Sequence, residues 1–188
     1  MDNKNKAFTL AEVLITLGII GIIAAMTIPN LVFNYKKTVY VTTLKKTYSA
    51  MTTACERMLA EENVNFLNET RLYRQIKSNA DADAIFSTVR NYFKMNRTIR
   101  TSEGGSFRGF ELLDGTTVIV GVADTGLDFE VDVNGLMNRP NQVGLDRFIF
   151  RLDRSCKVQR FTSEDSCKTS PDGYTCFTEV MENNWKLP

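Results

Sequence analysis

The chain has 188 residues, 23 Lys and Arg against 22 Asp and Glu, a net charge of +1 and no His. This near-balance provides no long-range positive field for nucleic acid. The missing His removes the commonest general base, the commonest metal ligand and every Ser-His or Cys-His nucleophile pair; no carboxylate pair stands in a recognisable catalytic context, so the sequence points away from an enzyme.

Residues 7–33 read AFTLAEVLITLGIIGIIAAMTIPNLVF, an apolar run whose one charged residue is Glu12. The run exceeds the roughly 20 residues that cross a bilayer and is too long for the apolar core of a cleaved signal peptide. A charge at the centre of such a helix costs roughly 2.5–3.5 kcal/mol, so Glu12 asks for a partner. Lys4 and Lys6 against Asp2 keep the N-terminus in the cytoplasm and send the remainder outward.

A basic leader, a small residue, Phe, and Glu at the fifth position from that Phe closely resemble the cleavage and methylation motif of type IV prepilins and type II secretion pseudoprepilins. The resemblance is strong over about residues 4–36. It implies a membrane peptidase that cuts between Ala7 and Phe8 and methylates the new amine, and a Glu12 that accepts the positive N-terminus of a neighbouring subunit. Ala7 stands where most members have Gly, which predicts slower cutting without abolishing it. The expected organisation is a leader at 1–7, a transmembrane helix at 8–33 and an exported globular head at 34–188.

The helix is expected to continue to about Glu62, because Leu44, Tyr48, Met51, Cys55 and Met58 recur at steps of four and three among charged residues. Pro29 lies inside it and predicts a kink or local break, and Gly18, Gly21 and Ala25 form a small-residue face. After Asn63 the chain becomes polar. Asp81 to Met95, with Ile85, Val89 and Tyr92 at helical spacing, predicts a second helix.

From Phe107 the period changes to two. Phe110 to Leu113, the Asp114-Gly115 turn and Thr116 to Val122 read as a hairpin; Phe129 to Val133, Arg147 to Leu152 and Lys157 to Phe161 read as further strands. The fold class is α+β and pilin-like: a long N-terminal helix, half membrane and half amphipathic, packed on an antiparallel sheet. Phe177, Val180 and Met181 are at helical spacing, and Trp185, the only Trp, is expected to pack onto the sheet.

Between two strands lies the pattern Asp132-x-Asn134-Gly135, Pro140-Asn141, Gly144-x-Asp146. It resembles a segment of secretion pseudopilin heads, some of whose relatives bind calcium. Oxygen ligands from Asp132, Asn134 and Asp146 with backbone carbonyls suit a hard cation such as Ca²⁺; no other cofactor is expected. The loop is not an EF-hand, since the twelfth position from Glu130 is Asn141 where a bidentate Glu is needed. The alternative is a plain turn after a strand whose Asp128, Glu130 and Asp132 form a solvated face.

Cys55, Cys156, Cys167 and Cys176 all fall on the side expected to be exported, where an even number favours disulfides. Three pairings remain open; the favoured one joins Cys167 to Cys176 around Pro171-Asp172-Gly173, and Cys55 to Cys156 between the long helix and the sheet.

The resemblance implies a structural subunit, a pseudopilin or minor pilin, assembling into a pilus or pseudopilus for type II protein secretion. It implies a single-pass protein of the bacterial inner membrane, with its head in the periplasm or an extracellular filament. The implied partners are other pilin subunits, the prepilin peptidase and methyltransferase, and the inner-membrane assembly platform. The competing reading is a type IV or competence pilin whose head binds a surface, DNA or an exoprotein.

Overall fold

The computed structural model describes residues 9–78, 80–100, 108–162, 167, 169 and 172–187. Two compact units divide the chain after Thr38, and the helix α1, Leu10–Glu62, contributes to both.

In the first unit α1 exposes Leu14, Ile15, Leu17, Ile20, Ile22, Ile23 and Met26 at successive angles around the barrel. A helix apolar on every side is built to be covered by lipid or other helices, and α1 is long and apolar enough to cross a membrane. Its hydroxyls suit that setting: Thr16 Oγ1 donates to Val13 O at 2.9 Å and Thr27 Oγ1 to Ile23 O at 2.9 Å, so neither is left unpaired in hydrocarbon. The helix runs through Pro29 without interruption, so of the kink or local break expected there, the break is absent. A proline removes a single i→i−4 bond, and the turns on either side of Pro29 remain helical.

In the second unit α1 buries Val41, Leu44, Thr47, Met51, Ala54, Cys55 and Met58 along one face. Asn63, with φ of 50°, ends the helix in the left-handed conformation, and Val64 N–H reaches back to Leu59 O at 3.1 Å.

The polar stretch that follows carries two short elements. A 3₁₀ turn at Leu67–Glu69 leads into α2, Arg71–Lys77, capped by Thr70. Both escape notice because a seven-residue helix needs only Leu72, Tyr73 and Ile76 inside. Helix α3 is Ala82–Arg90, shorter than expected. Tyr92 and Phe93 N–H both bond Val89 O at 3.0 Å, closing the last turn, and Met95 already opens a strand.

That strand, β1 at Met95–Arg100, begins a six-stranded antiparallel meander in simple order with β2 Arg108–Leu112, β3 Thr117–Ala123, β4 Gly126–Asp132, β5 Arg147–Asp153 and β6 Val158–Gln159. Register places Phe110 opposite Val118, Val120 opposite Phe129, Phe129 opposite Phe150, and Val131 opposite Phe148. All of these are buried, so alternate positions supply the core face. Helix α4, Gly173–Glu182, packs against β5 and sets Phe177 on Phe150 with ring centroids 4.7 Å apart. Trp185 packs against the core, meeting Tyr48 of α1 at 5.8 Å and Phe177 of α4 at 6.0 Å.

Candidate assembly motif and acidic loop

Ala7 and Phe8 lie outside the described residues. Glu12, in the first turn of α1, has a local partner: Thr9 N–H and Thr9 Oγ1 both donate to its Oε2 at 2.8 Å, and Glu12 N–H returns to Thr9 Oγ1 at 3.3 Å. This is a capping box, in which Thr-x-x-Glu satisfies amides that the helix start leaves without a partner.

The acidic loop joins β4 to β5. Asp132, the last residue of β4, is paired in register with Thr117 and Arg147. It is 2% exposed and Asp146 is 0%, so Asp132 is not part of a solvated face. Asp128 and Glu130, also expected there, are half-buried in ion pairs with Arg151 and Arg147 across the strands. Burial and the neighbouring Asp146 push the Asp132 carboxyl up to about 6.

Both oxygens of Asp146 accept loop amides: Oδ2 from Asn141 N–H at 2.8 Å and Oδ1 from Gln142 N–H at 2.5 Å. Asp132 Oδ1 accepts Asn134 N–H at 3.3 Å. Asn134 spends its amide nitrogen on Tyr40 Oη at 3.3 Å and Arg139 O at 3.2 Å, and Asn141 spends its own on Leu136 O at 3.1 Å. Three buried oxygens are then left without a hydrogen-bond partner among the described residues: Asp132 Oδ2, Asn134 Oδ1 and Asn141 Oδ1.

An unpaired buried acceptor costs about 1–3 kcal/mol; of these three, one belongs to a buried carboxylate and two to amides, and all are oxygens of the kind a hard cation takes. Among the described residues no three His, Cys, Asp or Glu side chains gather as a metal cluster; such an ion would rest on amide and backbone oxygens as much as on carboxylates. Asn141 is the residue that sequence reasoning passed over. The sequence pattern includes it beside Pro140 without offering it as a ligand; its φ of 53° belongs to a turn in which its amide nitrogen donates to Leu136 O.

Cys55 of α1 bonds Cys156 in the turn after β5, and Cys167 bonds Cys176 of α4. The second bridge lies against the acidic loop: a Cβ on Gly144, whose φ is +80°, would overlap Cys167 Sγ and sit 2.9 Å from Cys176 Sγ.

A family model described as the prokaryotic N-terminal methylation motif matches residues 2–28. No curated protein and no solved structure matches the chain. The motif implies processing by a prepilin peptidase and assembly with other pilin subunits. On a pilin-like α+β fold of one long helix and a six-stranded antiparallel sheet, the chain carries the N-terminal signature of type IV pilins and pseudopilins.

Proposed function

We propose that this chain is a structural subunit, a pseudopilin or minor pilin, of an inner-membrane-anchored pseudopilus or pilus serving type II protein secretion. The observation that carries the reading is an apolar helix exposed on every side whose one acidic residue, Glu12, lies in the first turn, inside the matched motif. In this reading the peptidase cuts between Ala7 and Phe8 on the cytoplasmic side, residues 8–33 span the membrane, and residues 34–188 form the exported head. Glu12 then exchanges part of its capping role for the positive Phe8 amine of a neighbour. Such a pairing offsets the cost of a carboxylate in lipid and sets the register of one subunit against the next. The subunit performs no catalysis of its own.

The head takes Ca²⁺ in the acidic loop. Asp132, Asn134 and Asn141 supply the unpartnered oxygens, and Asp146 holds the loop closed while keeping acceptor capacity for the ion. The bound ion would supply positive charge to two adjacent buried carboxylates and fix the β4–β5 connection.

Deletion of the gene in its own host tests the reading. Loss of an exported protein from the medium, restored by wild-type chain and not by Glu12→Leu, is expected. Normal secretion in the deletion strain, with loss of surface filaments or DNA uptake, would move the chain to the pilus systems.

A further inference from the structure

We infer that the Cys167–Cys176 disulfide is the positioning element of the acidic loop, so that cation binding by Asp132, Asn134, Asn141 and Asp146 depends on this bridge and not on Cys55–Cys156. The inference rests on the calcium reading of the loop given above.

The loop backbone leans directly on the sulfurs. Gly144 lacks the Cβ that would overlap Cys167 Sγ, and its left-handed φ of +80° brings the chain close to the bridge. From that point the loop is knitted together: Gly144 N–H bonds Arg147 O at 2.9 Å, and the N–H groups of Leu145, Asp146 and Arg147 converge on Gln142 O at 3.1 Å. Asp146 closes the same turn by gripping Asn141 and Gln142 N–H. Moving Gly144 therefore moves Asn141 and Asp146 together.

The bridge is itself held from behind. Cys176 is fully buried in α4, whose Phe177 is seated on Phe150, and Cys167 N–H is bonded to Glu179 Oε1 at 2.7 Å. Asp132 Oδ2 supplies the independent sign of a ligand, being an unpartnered carboxylate oxygen on a residue 2% exposed. Cys55–Cys156 provides the internal control. It ties α1 to the turn in which Asp153 Oδ1 accepts Ser155 and Lys157 N–H, and it makes none of these loop bonds.

The test is calorimetric titration of Ca²⁺ into the full chain in detergent, with circular dichroism to confirm the fold. Loss of a group supporting metal ligands costs about 10–100-fold in affinity. The expected result is a drop of about 10-fold or more for Cys167→Ala with Cys176→Ala, and a change of less than about two-fold for Cys55→Ala with Cys156→Ala. Gly144→Val keeps all four cysteines and all four ligand residues and is expected to lose affinity as well, which covers a double variant that fails to fold. Wild-type affinity in both the Cys167/Cys176 variant and Gly144→Val overturns this inference and leaves the calcium reading standing. Absence of Ca²⁺ binding by the wild-type chain overturns both.

Discussion

Thr9 donates its backbone N–H and its hydroxyl to the same oxygen of Glu12, each at 2.8 Å. The carboxylate proposed to receive a neighbour's N-terminus is therefore also a helix cap, and the two roles are chemically separable. Gln serves a capping box as well as Glu does, but it carries no charge to meet an ammonium. Glu12→Gln is expected to insert and be cut normally, yet fail to enter filaments when it replaces the wild-type subunit, as measured by cysteine cross-linking along the membrane helix. Thr9→Val, which weakens the cap by about 1 kcal/mol and keeps the charge, should still assemble. Normal incorporation of Glu12→Gln would reduce Glu12 to a cap.

Calcium should stabilise the head by mass action. At about 100 times its Kd the gain is about 2.7 kcal/mol, a rise in melting temperature of about 5–10 °C for a chain this size. Asp132→Ala and Asn141→Ala should each remove most of that rise in thermal unfolding followed by circular dichroism. A rise of equal size in both variants would mean the ion binds elsewhere.

The two disulfides should contribute unequally. Closing a loop of 101 positions restrains the unfolded chain more than closing one of 9, about 4.7 against about 2.6 kcal/mol in the chain-entropy treatment. Urea unfolding should find Cys55→Ala with Cys156→Ala less stable than Cys167→Ala with Cys176→Ala by about 2 kcal/mol in the absence of calcium. The reverse order would mean that native contacts around the short bridge outweigh loop closure.

Asp172 links the start of α4 to pH. Its burial alone would raise the carboxyl; hydrogen bonds from Thr175 Oγ1 at 2.6 Å and from Thr175 and Tyr174 N–H at 2.9 Å outweigh that and hold it below the usual carboxylate range. Because the folded value lies below the unfolded one, the stabilisation is fully present above about pH 4 and is lost as pH falls through the folded value. Asp172→Asn keeps a side-chain acceptor at every pH. The melting-temperature advantage of wild type over Asp172→Asn should shrink between pH 6 and pH 3; a constant difference would contradict the link.

Much of this architecture could be read from the residues because strong patterns wrote it. The stripe through Leu44, Met51, Cys55 and Met58 and the alternation in β5 leave one face each to bury, and the unbroken apolar run of β3 is buried on both. The 3₁₀ turn, α2 and β1 leave no pattern in the sequence for the opposite reason: they are short. Strand β1 is defined by its ladder to β2, including Thr98 with Phe110, and not by any alternation of its own. Asp132 reads as the polar side of an alternating strand, whereas the β4–β5 loop, closed by Asp146 on Asn141 N–H, leaves it 2% exposed. Asn141 became visible as a candidate ligand once the backbone showed where its amide nitrogen goes.

The most direct measurement of the central claim is intact mass with N-terminal peptide sequencing of the membrane-inserted protein from its own host. A chain beginning at Phe8, lacking residues 1–7 and carrying one added methyl group on its amine, is the expected result. A membrane-inserted form that retains Met1 to Ala7, or begins at Phe8 without the methyl group, would contradict the account of this chain as a processed pilin-like subunit.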